Sequence, residues 1–111
     1  MARADAAALQ VDHLMFGAPN LDKGIAYLEQ RTGVRATFGG RHPNRGTQNA
    51  LLSLGSRQYL EIIAPDPAQA DVRGDRVDVL RSLAEPRLLT WAAGTTDIQS
   101  VERRVVAAGY E

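Results

Sequence analysis

Two apolar runs, Thr47 to Leu54 (TQNALLSL) and Arg57 to Ala64 (RQYLEIIA), flank a Gly55-Ser56 pair. A Gly-Ser pair between two such runs predicts a β-hairpin closed by a tight turn. With Gly55 and Ser56 as the turn, Leu54 pairs with Arg57, Ala50 with Glu61 and Gln48 with Ile63. Side chains alternate along a strand, so Gln48, Ala50, Leu52, Tyr59, Glu61 and Ile63 are expected on one face. Asn49, Leu51, Ser53, Leu60 and Ile62 fall on the other. Glu61 stands out inside Tyr-Leu-Glu-Ile-Ile, because a charge is rarely buried unless it is paired or binds a metal. On this register Gln48 lies diagonally from it, within reach.

The hairpin is entered through a Gly-rich basic loop, Gly39 to Gly46 (GGRHPNRG). Before it, Val11 to Ala18 reads as a strand with Leu14 and Phe16 on one face and Val11, His13 and Met15 on the other. Asn20 suits a helix N-cap, and Leu21, Ile25 and Leu28 form a helical stripe that ends near Gly33. Val34 to Phe38 is a short strand. The order is βαβββ over residues 9–65. Residues 66–87, with Pro65, Pro67 and Gly74, form a linker with a short helix marked by Val77, Leu80 and Leu83 and stopped by Pro86. Leu88 to Ala93 is strand-like. Asp97 caps a second stripe of Ile98, Val101, Val105 and Ala108.

A slide of 77 residues lays Gly17 on Gly94, Asn20 on Asp97, Leu21 on Ile98 and Leu28 on Val105. The match rests on topology more than on letters. Residues 88–111 would then be the start of a second module, strand and helix only. The fold class expected is α+β: a βαβββ module with a mixed sheet and an incomplete second module, together one domain over residues 9–111. Residues 1–8, Ala-rich, are expected to fray. The half-built module leaves apolar surface, so a homodimer or other homo-oligomer is expected. Trp91 falls on the helix-facing side of its strand and is assigned to core packing.

Composition removes several function classes. Thirteen basic and thirteen acidic residues cancel, with no charged block, so neither nucleic acid nor a membrane surface is an expected partner. The chain has no cysteine, which excludes disulfides, thiolate metal sites and cysteine nucleophiles. No apolar run reaches membrane-spanning length, and the N-terminus lacks a secretory pattern, so a cytoplasmic location is the expectation.

The stretches VDHLMFGAPNLDKGIAYLEQRTGV, FGGRHPNRGTQNALLSLG, YLEIIAPDP, EPRLLTWAAGTTDI and VVAAGYE resemble the glyoxalase-like branch of the vicinal oxygen chelate superfamily. The likeness covers the chain from Val11 onward. Its most specific parts are Asp12-His13 and the Gly-Gly-Arg-His-Pro loop before Gly-Thr-x-Asn-Ala-Leu. The resemblance implies βαβββ modules paired around a cupped sheet. It also implies a small-molecule ligand and, in many members, a divalent metal that coordinates vicinal oxygens of the substrate. Ligand positions on the first and last strands of a module fall on His13 and Glu61. Gln48 falls where relatives often have histidine and could offer its carbonyl oxygen. The corresponding residue of the second module is Thr90, a poor ligand, and relatives with this loop run well past Gly109, so the chain resembles a truncated gene product.

His13, Gln48 and Glu61 are thus the candidate metal ligands, of a donor type that suits Mn, Fe, Ni or Zn. No organic cofactor is expected. Glu61 is alternatively a general base. Arg41, His42 and Arg45 on the Gly-rich loop, with Asn49 and Tyr59, are the candidate substrate-binding residues. Guanidinium forks recognise carboxylate or phosphate, and Tyr59 could donate to a substrate oxygen. Against these stand plainer readings, a His–Glu pair in a polar patch and surface arginines packed on their neighbours. The functional readings carried forward are a metal-dependent lyase, isomerase or dioxygenase-type enzyme on a small oxygen-bearing substrate, a metal-free binding protein of the same fold, and a non-catalytic fragment.

Overall fold

The computed structural model describes residues 9–110. The expected fraying of residues 1–8 and the last residue, Glu111, lie outside the described residues. The elements run β1 (Leu9–Gly17), α1 (Leu21–Thr32), β2 (Thr37–His42), β3 (Thr47–Gly55), β4 (Gln58–Pro65), a short 3-10 turn (Pro67–Gln69), α2 (Asp75–Ser82), β5 (Arg87–Thr95) and α3 (Ile98–Ala107). The first five form the expected βαβββ unit. One five-stranded sheet has the order β2-β3-β4-β1-β5. It is mixed, with β1 parallel to β4 and antiparallel to β5. The α+β architecture is therefore as the sequence implies.

Helix α1 begins and ends where local chemistry dictates. Asn20 accepts a hydrogen bond from the Lys23 amide, and Gly33 closes the helix at φ 76°, in the left-handed region that glycine adopts without steric cost. Its stripe, Leu21, Ile25 and Leu28, packs with Phe16, Ala50, Leu52 and Ile62 into the core. Gly24 sets how closely helix and sheet approach, because a Cβ there would sit 2.8 Å from both Ala18 Cβ and Ile62 Cγ2. Helix α2 packs against β4, with Val77 and Leu80 buried.

The hairpin is closed one residue later than the sequence suggests. Ser53 pairs with Tyr59 and Gly55 with Gln58, so Leu54 is an extra residue in β3 and the turn is made by Ser56 and Arg57. Arg57 takes φ 64°. The register is accordingly Leu51 with Glu61, Ala50 with Ile62 and Gln48 with Ala64. A one-residue slip exchanges the faces of one strand relative to the other. Ala50 and Leu52 therefore join Leu60 and Ile62 on the α1 side, and Asn49 joins Tyr59 and Glu61 on the opposite, concave side. Strand β2 also lies later than expected, so Arg41 and His42 end a strand rather than ride a loop.

Strand β5 and α3 form as expected, and Asp97 caps α3 by accepting from the Ser100 amide at 3.0 Å. The assignment of Trp91 to core packing is corrected. Trp91 pairs with Leu14 on the helix-facing side, yet its side chain is 60% exposed, and α3 buries none of its residues. The helix does not fold back over this strand. No helix among the described residues is long and apolar enough to cross a membrane.

Candidate functional site

The concave face of the sheet gathers His13 and Met15 from β1 with Tyr59, Glu61 and Ile63 from β4. The parallel register aligns His13 with Tyr59 and Met15 with Glu61. Phe16 points the other way, into the core, and Leu14 shares that face half-buried, so alternation places His13 on the opposite face. The His13 and Tyr59 rings stack with centroids 4.7 Å apart and planes 8° from parallel.

Both ring nitrogens of His13 lie near a carboxylate, and one of them is hydrogen-bonded. Nδ1 lies 2.9 Å from Asp12 Oδ2, and Nε2 lies 3.6 Å from Glu61 Oε1. Adjacent strand residues normally point to opposite faces. Here the register of β1 against β5 shifts between Val11 and His13, placing a bulge at Asp12. A bulge re-aims a side chain, which lets the Asp12 carboxylate reach the ring of its own neighbour.

Glu61 is buried, and Asn49 donates its side-chain amide to Glu61 Oε2 at 2.7 Å. Asn49 can reach because Gly39 on β2 has no side chain. Its Oδ1 occupies the space that a Cβ at Gly39 would take. Gln48, the residue expected beside Glu61, lies on the opposite face of β3, where its amide donates to the Pro65 carbonyl at 3.4 Å. Its place in the site is thus corrected: the register brings Asn49, not Gln48, to Glu61. Tyr59 has its phenol pushed above the ordinary tyrosine range, first by burial and then by the nearby Asp12 and Glu61 carboxylates.

Glu61, Met15 and Ile63 form one wall of a cavity of about 790 Å³. Arg41, His42 and Arg45 line it from β2 and the turn that follows, Arg73 lines it from just before α2, and Arg76 from the first turn of α2. Those last two were missed because residues 66–87 read as a linker. The Arg-Gly-Asp-Arg run at 73–76, opening a helix, was the available signal. Arg41 pairs with Asp66 at 3.4 Å, and Arg73 pairs with Asp78 at 2.9 Å. His42 Nδ1 lies 2.7 Å from Thr47 Oγ1.

The turn carrying Arg45 is pinned by one side chain from beyond the hairpin. Gln69 Oε1 accepts from the Asn44 amide at 2.9 Å and the Gly46 amide at 3.4 Å, while Gln69 Nε2 donates to the His42 carbonyl and to Asp66 Oδ2. Asp66, almost fully buried, has its carboxyl held below the usual range, chiefly by the hydrogen bond from Gln69 and then by the Ala68 amide, with burial opposing and Arg41 adding a smaller push.

A divalent cation can be tested against these residues. His13 Nε2 and Glu61 Oε1 share the cup. With Nδ1 on a carboxylate, a neutral imidazole turns its Nε2 lone pair toward Glu61, so an acceptor faces an acceptor. Their 3.6 Å separation is longer than a hydrogen bond. It is close to the roughly 3.4 Å between two tetrahedral donors with bonds of about 2.1 Å to one ion. The pair fits as two donors. No cluster of three or more His, Cys, Asp or Glu residues suited to a metal occurs among the described residues.

Comparison with known proteins adds three findings. A family model described as a glyoxalase-like domain matches residues 11–111. Two curated relatives, each named a demethylmenaquinone methyltransferase, come from Chlorobaculum parvum and Chlorobaculum tepidum. They are 29% identical over 92 residues and 27% over 101 residues. These matches cover 80% and 88% of this chain but only 35% and 38% of the relatives, so the chain spans little more than a third of their length. Among solved structures, methylmalonyl-CoA epimerase from Mycobacterium tuberculosis superposes with a TM-score of 0.65 at 21% identity, over 98% of this chain and 69% of that one. That likeness is one of fold.

Proposed function

This chain belongs to the glyoxalase-like domain family of the vicinal oxygen chelate superfamily, and from that premise we propose that it is an enzyme domain for a small oxygen-bearing substrate, centred on His13 and Glu61. The observation that carries this reading is the His13 Nε2 to Glu61 Oε1 approach at 3.6 Å at the edge of a cavity large enough for a small molecule. A divalent cation held by these two residues would polarise substrate oxygens and leave positions open for them. The chain's own residues supply the rest. Asp12 fixes the imidazole, so Nε2 is presented to the cup. Asn49 holds Oε2 of Glu61 and leaves Oε1 turned toward His13. Tyr59, kept protonated, is a donor for a substrate oxygen. Glu61 is placed to accept a proton from a carbon or hydroxyl beside a carbonyl.

The test is elemental analysis of protein prepared without chelator, followed by incubation with Mn, Fe, Ni or Zn. One transition metal per chain is expected, lost in both H13A and E61Q. Screening of dicarbonyl and diol substrates should then give turnover that E61Q lacks. Absence of any bound metal after incubation would overturn the cation-dependent form.

A second reading, metal-free binding of a small molecule, is favoured by one observation: Gln48 lies on the other face, leaving two donors rather than three. In that case His13 and Glu61 are polar lining residues of the binding site, with the imidazole set between the Asp12 and Glu61 carboxylates. Ligand-induced thermal stabilisation would then survive chelator treatment. Stabilisation that vanishes with chelator would count against it.

A further inference from the structure

Four arginines line the cavity from two separate stretches of chain, residues 41–45 and 73–76, and they are not equivalent. Arg41 and Arg73 are paired with Asp66 and Asp78. Arg45 and Arg76 make no ion pair among the described residues, and both are exposed. Arg76 does not trail into solvent. Its Nη1 lies 3.4 Å from Met15 Sδ, and Met15 is the cross-strand partner of Glu61. A guanidinium thus lies over the residue beside the buried carboxylate. Arg45 approaches from the turn that Gln69 pins. The lining carboxylates are Glu61, already hydrogen-bonded by Asn49, and Asp75 in the first turn of α2.

We infer that Arg45 and Arg76 form an anion subsite, so that the small molecule entering this cavity carries a carboxylate or phosphate close to the atoms presented to Glu61. The inference rests on the proposed site at His13 and Glu61 and names its substrate class. Guanidinium forks match both anions with paired N–H donors. Arginines without a carboxylate partner have those donors free. An uncharged substrate would leave both cations facing an unfilled pocket, whereas an anion between them would neutralise the mouth of the cavity and fix which end of the molecule lies next to Glu61.

The experiment is calorimetric titration of the chain with sodium malonate and, separately, inorganic phosphate, at constant ionic strength. Wild type is expected to bind at least one of them, and the tighter probe identifies the anion. R45Q and R76Q should each weaken that binding by about tenfold or more, equivalent to about 1.4 kcal/mol, while R103Q on α3 leaves it unchanged. E61Q separates the two readings. It should abolish metal uptake yet bind the probe within about threefold of wild type, whereas R45Q and R76Q should keep metal uptake. Wild-type protein gives an independent readout, because the bound anion should shield Arg45 and Arg76 from phenylglyoxal, seen by peptide mass spectrometry. Failure of both probes to bind, equal affinity in R45Q and R76Q, or no shielding would overturn the subsite.

Discussion

Asn49 donates its side-chain amide to the buried Glu61 carboxylate across 2.7 Å, from a neighbouring strand and through space left by Gly39. The bond joins β3 to β4 on the concave face and requires the register in which Leu51, not Ala50, stands opposite Glu61. A carboxylate with one oxygen fixed by an amide and the other turned toward an imidazole has a single orientation. That orientation is what any chemistry at Glu61 depends on.

Asn49→Ala should therefore damage the site twice. A hydrogen bond to a charged group contributes about 1.5–3 kcal/mol, so urea denaturation should show a loss of about that size. Metal or ligand affinity should fall as well, because Glu61 is then free to rotate. Gly39→Ala should reproduce the second effect by displacing Asn49. Wild-type affinity in both variants would mean that Glu61 is held by something else.

Gln69 makes a second separable prediction. Its amide group satisfies two backbone N–H groups, one carbonyl and the Asp66 carboxylate around the turn that carries Arg45. Gln69→Ala should cost about 1–3 kcal/mol through unsatisfied polar groups. It should also speed hydrogen exchange at the Asn44 and Gly46 amides while the core amides of β4 lose only the global difference in stability. A uniform change across the chain would show that Gln69 stabilises the fold without pinning the turn.

Most of the fold was legible because its signals are local. The stripe of Leu21, Ile25 and Leu28, the Asn20 and Asp97 caps and Gly33 each follow from side-chain geometry over a few residues. The facing of His13 was legible because Phe16, three residues on along the strand, had to point at that stripe. Gln48 was misplaced through the register: alternation grouped it correctly with Ala50 and Leu52, but the expected turn set that face beside Glu61 instead of Ile62. The turn signal was read one residue early, since a non-glycine residue, Arg57, takes the left-handed position. The partnership of Asp12 with His13 needs a bulge, and the contribution of Arg76 needs α2 to dock on β4. Both are set by tertiary packing, which no local pattern carries. The exposure of Trp91 is of the same kind, because a strand's helix-facing side is buried only where a helix docks.

Tyr59 should titrate above the value of about 10 for free tyrosine, because burial and the Asp12 and Glu61 carboxylates all oppose the phenolate. With the folded pKa raised, the stabilising contribution is present below the unfolded value and is lost as pH rises through the folded one. Ultraviolet titration should place the midpoint lower in D12N and in E61Q than in wild type. Tyr59→Phe should keep the stack on His13 and remove the alkaline loss of stability. An unchanged midpoint in both carboxylate variants would leave burial as the sole cause.

Asp66 contributes on the acid side. Its carboxyl is held low in the folded chain by Gln69 and the Ala68 amide. The sign follows from linkage: stability from this group is fully present above the unfolded pKa of about 3.9 and is lost as pH falls through the lower folded value. Protonation weakens the acceptor for Gln69 and removes the charge that pairs with Arg41, so the turn bearing Arg45 should loosen in the same range. Asp66→Asn can still cap the Ala68 amide but cannot titrate. It should be less stable than wild type at neutral pH and should flatten the acid limb of the stability profile. Thermal melts of both proteins between pH 7 and pH 3 check this. Parallel profiles would mean that acid destabilisation comes from other carboxylates and that the Asp66–Gln69 contact is not the element that yields first.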